Sequence, residues 1–181
     1  MAIKKSWYEI IAPKMFGEVC VGETPAADPK LLVGRVIKVS MADIDKTSPK
    51  FFLKMVFRID SVEGSKALTS FIGHDIMYER IYRMVQRRTS RIDCVRTVAT
   101  TDGTKMRIKV VLIIPKKVGN SVQHTVRAKL SESVDKVVSE NSVETIIKMI
   151  LSDDFQRTIR DECKKMYPIA MVEIRKSEII V

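Results

Sequence analysis

The stretch RMVQRRTSR, residues 83–91, places four arginines in nine positions with no acid among them. Guanidinium groups present planar forks of N–H donors that match phosphate oxygens, so such a run suits the holding of a polyanion. Other chemistry within reach is thin. His74 and Asp75 form a dyad of the kind that contributes to the metal site of a phosphohydrolase. The second histidine, His124, lies in the most basic part of the chain, where a divalent cation is repelled. A structural or phosphate-side role for the histidines is the better reading. No G-x-x-x-x-G-K-S/T or G-x-G-x-x-G loop and no G-x-S-x-G elbow occurs. Catalysis has little support, and no metal or cofactor is expected.

Charge is polarised along the chain. Thirty-two Lys and Arg against 22 Asp and Glu give a net charge of +10, with an isoelectric point near 9.6. Residues 80–131 hold 13 bases and two acids, Asp93 and Asp102, whereas residues 132–162 hold eight acids and four bases. A block of one sign repels itself unless something opposite covers it, which points to a polyanionic partner. The candidate contacts are Arg80, Arg83, Arg87, Arg88, Arg91, Lys105, Arg107, Lys109, Lys116, Lys117, Arg127 and Lys129, joined by Lys4, Lys5 and Lys14 near the N-terminus. Aromatic residues make up 6% of the chain, and Phe51, Phe57 and Phe155 fall on apolar stripes. That disfavours a platform for stacking bases and favours contact with the backbone and shape of folded RNA. Trp7, beside Lys4 and Lys5, reads either as part of a contacting arm or as a core anchor.

The elements that must position these groups follow from periodicity. KFFLKMVFRID alternates, with Phe51, Leu53, Met55, Phe57 and Ile59 on one face, and after the VEGS turn KALTSFIG returns as its hairpin partner. From His74 the period becomes helical: Met77, Ile81, Met84 and Val85 form a docking side, and Arg80, Arg83 and Arg87 an outer one. RIDCVRTVAT and KMRIKVVLIIP flank an Asp-Gly turn. Val122, Val126, Leu130, Val134 and Val138 step by four, Asn141 with Glu144 makes a capping box, Asp153 or Asp154 caps a third helix, and MVEIRKSEIIV ends as a strand. GETPAADPK reads as an ordered loop. The predicted fold class is α+β: an antiparallel, barrel-like sheet with packed helices concentrated in the C-terminal third. One 181-residue domain is expected, comprising an N-terminal arm and loop (1–30), a mainly β part with one basic helix (31–115) and a mainly helical part with a final strand (116–181). Cys20, Cys94 and Cys163 suit a reducing compartment and read as small core or boundary residues. No apolar run is long enough to span a bilayer, so a soluble cytosolic protein is expected.

The series WYEIIAPKMFG, VGETPAADPKLLVGR, GHDIMYERIYRMVQRRTSRID, TTDGTKMRIKV, SVQHTVRAKL and MYPIAMVEIRK occurs in order along almost the whole chain. It resembles the archaeal and eukaryotic small-subunit ribosomal protein family called S-one-e or S-three-a-e. The resemblance implies a non-enzymatic, RNA-binding constituent of the small ribosomal subunit, placed on the cytoplasmic ribosome at the platform near the messenger exit region. Implied partners are small-subunit ribosomal RNA, neighbouring small-subunit proteins and messenger RNA, with no membrane and no homo-oligomer. Position by position it points to Arg87, Ser90, Arg91, Asp93, Lys105, Arg107, Arg127, Arg175 and Lys176. Gln86, Arg88 and Ala128 depart from the pattern, in which a basic, a small and a basic residue are expected. The absence of an extended tail after the last strand suggests an archaeal-type protein. A free-standing RNA chaperone or regulator is the alternative, and a phosphohydrolase using His74 and Asp75 a more distant one.

Overall fold

In the computed structural model, which describes residues 5–180, the SWYEII stretch forms the first strand, β1 (Ser6–Ile11). Tyr8 and Ile10 turn inward, while Trp7 is 64% exposed. The chain divides into two compact units, Met1–Asp75 and Ile76–Val181.

In the first unit β1 pairs antiparallel with β2 (Cys20–Ala26). GETPAADPK thus begins inside a strand, and its expected loop is confined to the residues after Ala26. Next come β3 (Val36–Ser40), a single helical turn α1 (Met41–Ile44), and the hairpin of β4 (Leu53–Glu63) and β5 (Lys66–Ile76). The strand order is β2-β1-β5-β4-β3. Because β1 runs parallel to β5, the sheet is mixed, where an antiparallel one was expected. Gly64 opens the two-residue hairpin turn with φ +60°, a value that favours glycine at the first central position. Leu53, Met55, Phe57 and Ile59 are buried as the alternation predicts, and Phe57 meets Phe16 and Phe71 at ring-centroid distances of 5.4 and 6.3 Å. Phe51 precedes β4, so the pleat does not carry it inward, and it is 62% exposed.

The second unit opens with helix α2 (Tyr78–Met84), seven residues long. This is shorter than the sequence suggests, since His74 to Ile76 still belong to β5 and Arg87, Arg88 and Arg91 lie beyond the helix. Val85 is extended, at φ −88° and ψ 101°, and the Thr89 hydroxyl and N–H both donate to the Gln86 carbonyl. Such local turn bonding competes with helical bonding and stops the helix. Ile81 docks fully and Met77 and Met84 in part, whereas Val85, past the last turn, is exposed.

Strands β6 (Ser90–Ala99), β7 (Lys105–Ile114) and β8 (Met171–Ile180) form an antiparallel run in the order β6-β7-β8. Helices α3 (Asn120–Ser139), α4 (Val143–Ser152) and α5 (Asp154–Lys164) cover one of its faces. Met106, Ile108, Val110, Leu112 and Ile114 of β7 bury there against Val126, Leu130, Val134 and Val138 of α3 and against Phe155 and Ile159 of α5. In neither unit do the strands close into a barrel. Helices bury the apolar face of the β6-β7-β8 run, so closure is not needed to shield it, and β2 and β3 end the order of the first unit. The α+β class holds.

Two capping expectations also change. Ser142, not Asn141, caps α4, its Oγ accepting from the Thr145 N–H at 3.3 Å, while Asn141 Nδ2 donates back to the Val137 carbonyl at the end of α3. Asp153 stands before α5 in a left-handed conformation (φ +67°), and its side chain makes no cap to the helix backbone.

Candidate nucleic-acid interface

The open end of the β6–β7 hairpin collects a cluster of unpaired positive charge. Ser90 faces Ile114 where the ladder stops, and Pro115, lacking an N–H, ends it. Chain enters this end through residues 85–89 and leaves through 115–119, and the Val118 N–H donates to Ser90 Oγ at 3.1 Å, tying the two loops together. Arg87 and Arg88 on one loop therefore flank the same end as Lys116 and Lys117 on the other, with Arg83 on the last turn of α2 nearby. All five are exposed, and among the described residues none of them forms an ion pair. Glu79, four residues before Arg83, has the spacing of a helical ion pair, an acid that the sequence reading passed over; the two side chains do not pair. A pocket of about 370 Å³ opens beside this cluster, with Arg80, Arg83, Gln86 and Thr89 on its polar side and Met84 and Ile113 on its apolar side.

A second basic patch lies on the face of the sheet opposite α3–α5. Strand alternation turns Lys105, Arg107 and Lys109 to that face, while Met106, Ile108 and Val110 point to the helices. Lys109 stands opposite Lys176 of β8 and Val95 of β6, and Arg107 opposite Glu178 and Thr97. Glu178 is the acid among these bases. It pairs with Lys176 and with Lys109 Nζ at 3.9 Å, and the hydrogen bond from Lys176 holds its carboxyl below the usual glutamate range. Arg107 Nε donates to Thr97 Oγ1 at 3.4 Å.

The remaining candidates are tied elsewhere. Arg91 donates from Nε and Nη2 to Asp93 Oδ1 at 3.0 and 2.8 Å, and Arg127 Nε reaches the Asp93 carbonyl at 3.3 Å. Arg80 lies 4.0 Å from Glu173, and Lys129 pairs with Glu132 at 3.0 Å within a separate pocket shared with Glu162 and Lys165. Arg96 grips Asp135 of α3 with both its Nε, at 2.8 Å, and its Nη2, and the bond raises its pKa. Lys5 and Lys14 are exposed in the first unit, and Lys4 lies outside the described residues. Of the positions singled out by family pattern, Ser90 is buried and holds the loops, so its role here is one of positioning.

Helices α4 and α5 present a contrasting surface. Glu144, Asp154 and Asp161 are exposed on them, and the bases of α5 are already paired, Arg157 with Asp154 and Arg160 and Lys164 with Asp161, which leaves Lys148 of α4 as the exposed base without an ion pair among the described residues of these two helices. Asp102, one of two acids in the basic block, is spent internally: its Oδ2 accepts from the Val143 N–H at 2.9 Å and anchors the β6–β7 turn to the start of α4.

Sequence reasoning missed the exposed aromatics. Tyr78 and Tyr82, one turn apart on α2, are 54% and 71% exposed, and the Arg175 guanidinium lies 5.3 Å from the Tyr78 ring centroid. Both lie to one side of the Ile81 docking line on the helical wheel, and that offset carried the signal. Trp7, also exposed, is not a core anchor. His74 is buried in β5, Asp75 accepts from Lys38 at 3.3 Å, and His124 is exposed on α3. Among the described residues no three His, Cys, Asp or Glu side chains gather as a metal site. Cys94 and Cys163 are buried as expected, burial pushing the Cys163 thiol up to about 11, but Cys20 is exposed.

Comparison with known proteins matches this arrangement to one family. The model of the ribosomal S3Ae family covers residues 2–181. The small ribosomal subunit protein eS1 of Methanothermobacter thermautotrophicus is 35% identical over 98% of this chain and 91% of its own length. The eS1 proteins of Methanocaldococcus jannaschii, at 35% identity, and Methanococcus vannielii, at 33%, align over 98% and 97% of this chain and each over 80% of their own. With the match running through both units and through every element that carries the basic patches, the chain belongs to the ribosomal S3Ae family.

Proposed function

We propose that this protein is a structural constituent of the small ribosomal subunit that binds ribosomal RNA through the basic surface of its second unit. The observation that carries the reading is the set of exposed cations without acidic partners at the open end of the β6–β7 hairpin, continued by Lys105, Arg107 and Lys109 on the outer sheet face. Phosphate contacts from such groups fix position and orientation while carrying no sequence information, as a scaffold component requires. The relatives' names support the ribosomal placement, and with it a cytoplasmic ribosome as the site of action. On this reading Arg83, Arg87, Arg88, Lys105, Arg107, Lys109, Lys116 and Lys117 carry the main RNA contacts. Lys5, Lys14, Arg80, Arg91, Arg127 and Lys129 serve as lesser contacts, and Lys4 is their neighbour in sequence. The acid-bearing helices α4 and α5 face solvent or basic neighbouring proteins, because their carboxylates are repelled by phosphate. The protein acts as a monomer within the particle, near the path of messenger RNA, and catalyses no reaction.

Sedimentation separates a constituent from a free-standing RNA chaperone. The protein should remain with small subunits through a high-salt wash, held by many simultaneous contacts. Quantitative release at moderate salt, with the free protein still binding RNA, would favour the chaperone instead.

A further inference from the structure

The exposed edge of α2 carries a feature that phosphate binding does not use. Tyr82 is 71% exposed, with neither a hydrogen bond nor a ring contact, and Tyr78 lies one turn before it on the same flank of the helix. Arg175 of β8 stacks over the Tyr78 ring at 5.3 Å and its Nη2 donates to the Tyr78 hydroxyl at 3.4 Å, so that tyrosine is held in place and its π-surface is extended by a guanidinium plane. The next residue after Tyr82 is the exposed, ion-pair-free Arg83, and Arg87 follows in the loop beyond the helix. One acid, Glu79, shares the helix surface, against Arg83 and Arg175 on either flank of the tyrosines.

We propose that Tyr82, backed by the Tyr78–Arg175 pair, is a stacking site for an unpaired nucleobase of ribosomal RNA, with Arg83 receiving the phosphate of that nucleotide. The argument is one of chemical match. An aromatic ring presented to water beside uncompensated cations suits a ligand with both a flat π-face and an anionic backbone, and a single-stranded or extruded nucleotide has both. Every base has a π-face, so the site accepts any base and discriminates against backbone without one. The inference rests on the RNA-binding reading above but makes a separate demand: phosphate contact alone does not need Tyr82.

The test uses the full chain and two single-stranded probes of equal length and charge, oligouridylate and the corresponding abasic ribose-phosphate oligomer. Wild-type protein should prefer the probe that carries bases. Tyr82→Ala should weaken oligouridylate binding by roughly 5- to 150-fold, the span of aromatic–base stacking contributions, and leave abasic binding and the salt slope unchanged, while Tyr82→Phe should retain affinity. Arg83→Ala should weaken both probes. If Tyr82→Ala leaves oligouridylate binding unchanged, or weakens both probes equally, stacking is refuted while the RNA-binding reading stands. If that variant binds RNA normally yet enters small subunits poorly, the tyrosines contact a protein and the stacking site is likewise overturned. Salt-insensitive wild-type binding to either probe would instead overturn the RNA-binding reading itself.

Discussion

Replacing Arg83, Arg87 and Arg88 together by Ala removes three of the five exposed cations at the open end of the β6–β7 hairpin. Arg91 is left in place because its guanidinium is already committed to Asp93 at 2.8 Å. The fold should survive, since α2 docks through Ile81, which is 3% exposed, and exposed substitutions cost no more than about 0.5 kcal/mol each. RNA binding should respond strongly. Each phosphate contact contributes about 0.7 to 0.9 to the slope of log affinity against log salt, so three lost contacts make it shallower by about two to three. The affinity gap between wild type and variant should then narrow by about 20- to 40-fold as salt rises from about 50 to about 200 mM. Fluorescence anisotropy with a labelled ribosomal RNA fragment over that range measures the slope, and thermal unfolding monitors the fold. An unchanged slope with an unchanged melting temperature would refute the reasoning and leave these arginines as a solvated face.

Arg88 occupies a left-handed conformation at φ +69°, which a residue with a Cβ adopts at a cost of about 1–2 kcal/mol. Arg88→Gly should therefore raise the melting temperature by a few degrees in calorimetry while weakening RNA binding, because strain and charge are lost together. Asp102→Ala should lower stability by about 1 kcal/mol in denaturant titration by depriving the Val143 N–H of its acceptor. RNA affinity should rise slightly, since an acid leaves the basic block. Burial raises the folded Cys163 thiol to about 11 from an ordinary 9.0, so the unfolded chain ionises first. Stability should fall as pH climbs from about 9 towards 11 and then level off. Cys163→Ala should show a smaller fall over the same window in chemical denaturation, and an identical fall would refute the assignment.

What the sequence disclosed was set by how locally each feature is determined. The β6–β7 hairpin and α3 were legible because period-two and period-four stripes persist over ten or more residues, and burial on one face leaves them no other register. Helix α2 was overextended because its pattern could not register the turn bonding of Thr89 to Gln86 or the left-handed Arg88. GETPAADPK looked like a loop from its prolines, yet Pro25 sits on β2 opposite Trp7, an edge position where a missing donor is tolerated. The basic block was visible as composition, but its division was not. Asp93 and Asp135 neutralise Arg91 and Arg96, and the second pair joins residues 39 apart in sequence. Conversely, Arg87 and Lys116 come to one end of the hairpin only because Ser90 and Val118 tie their loops. Tyr82 was illegible for another reason: a low total of aromatics does not fix which of them face solvent.

The most direct measurement is protein–RNA crosslinking in intact small subunits containing this chain, with peptide mapping of the crosslinked sites. Crosslinks should fall within residues 83–91, 105–109 and 116–117, and α4 and α5 should stay free of RNA. Crosslinks confined to α4 and α5, with none in those basic segments, would contradict the claim that the basic surface of the second unit holds ribosomal RNA.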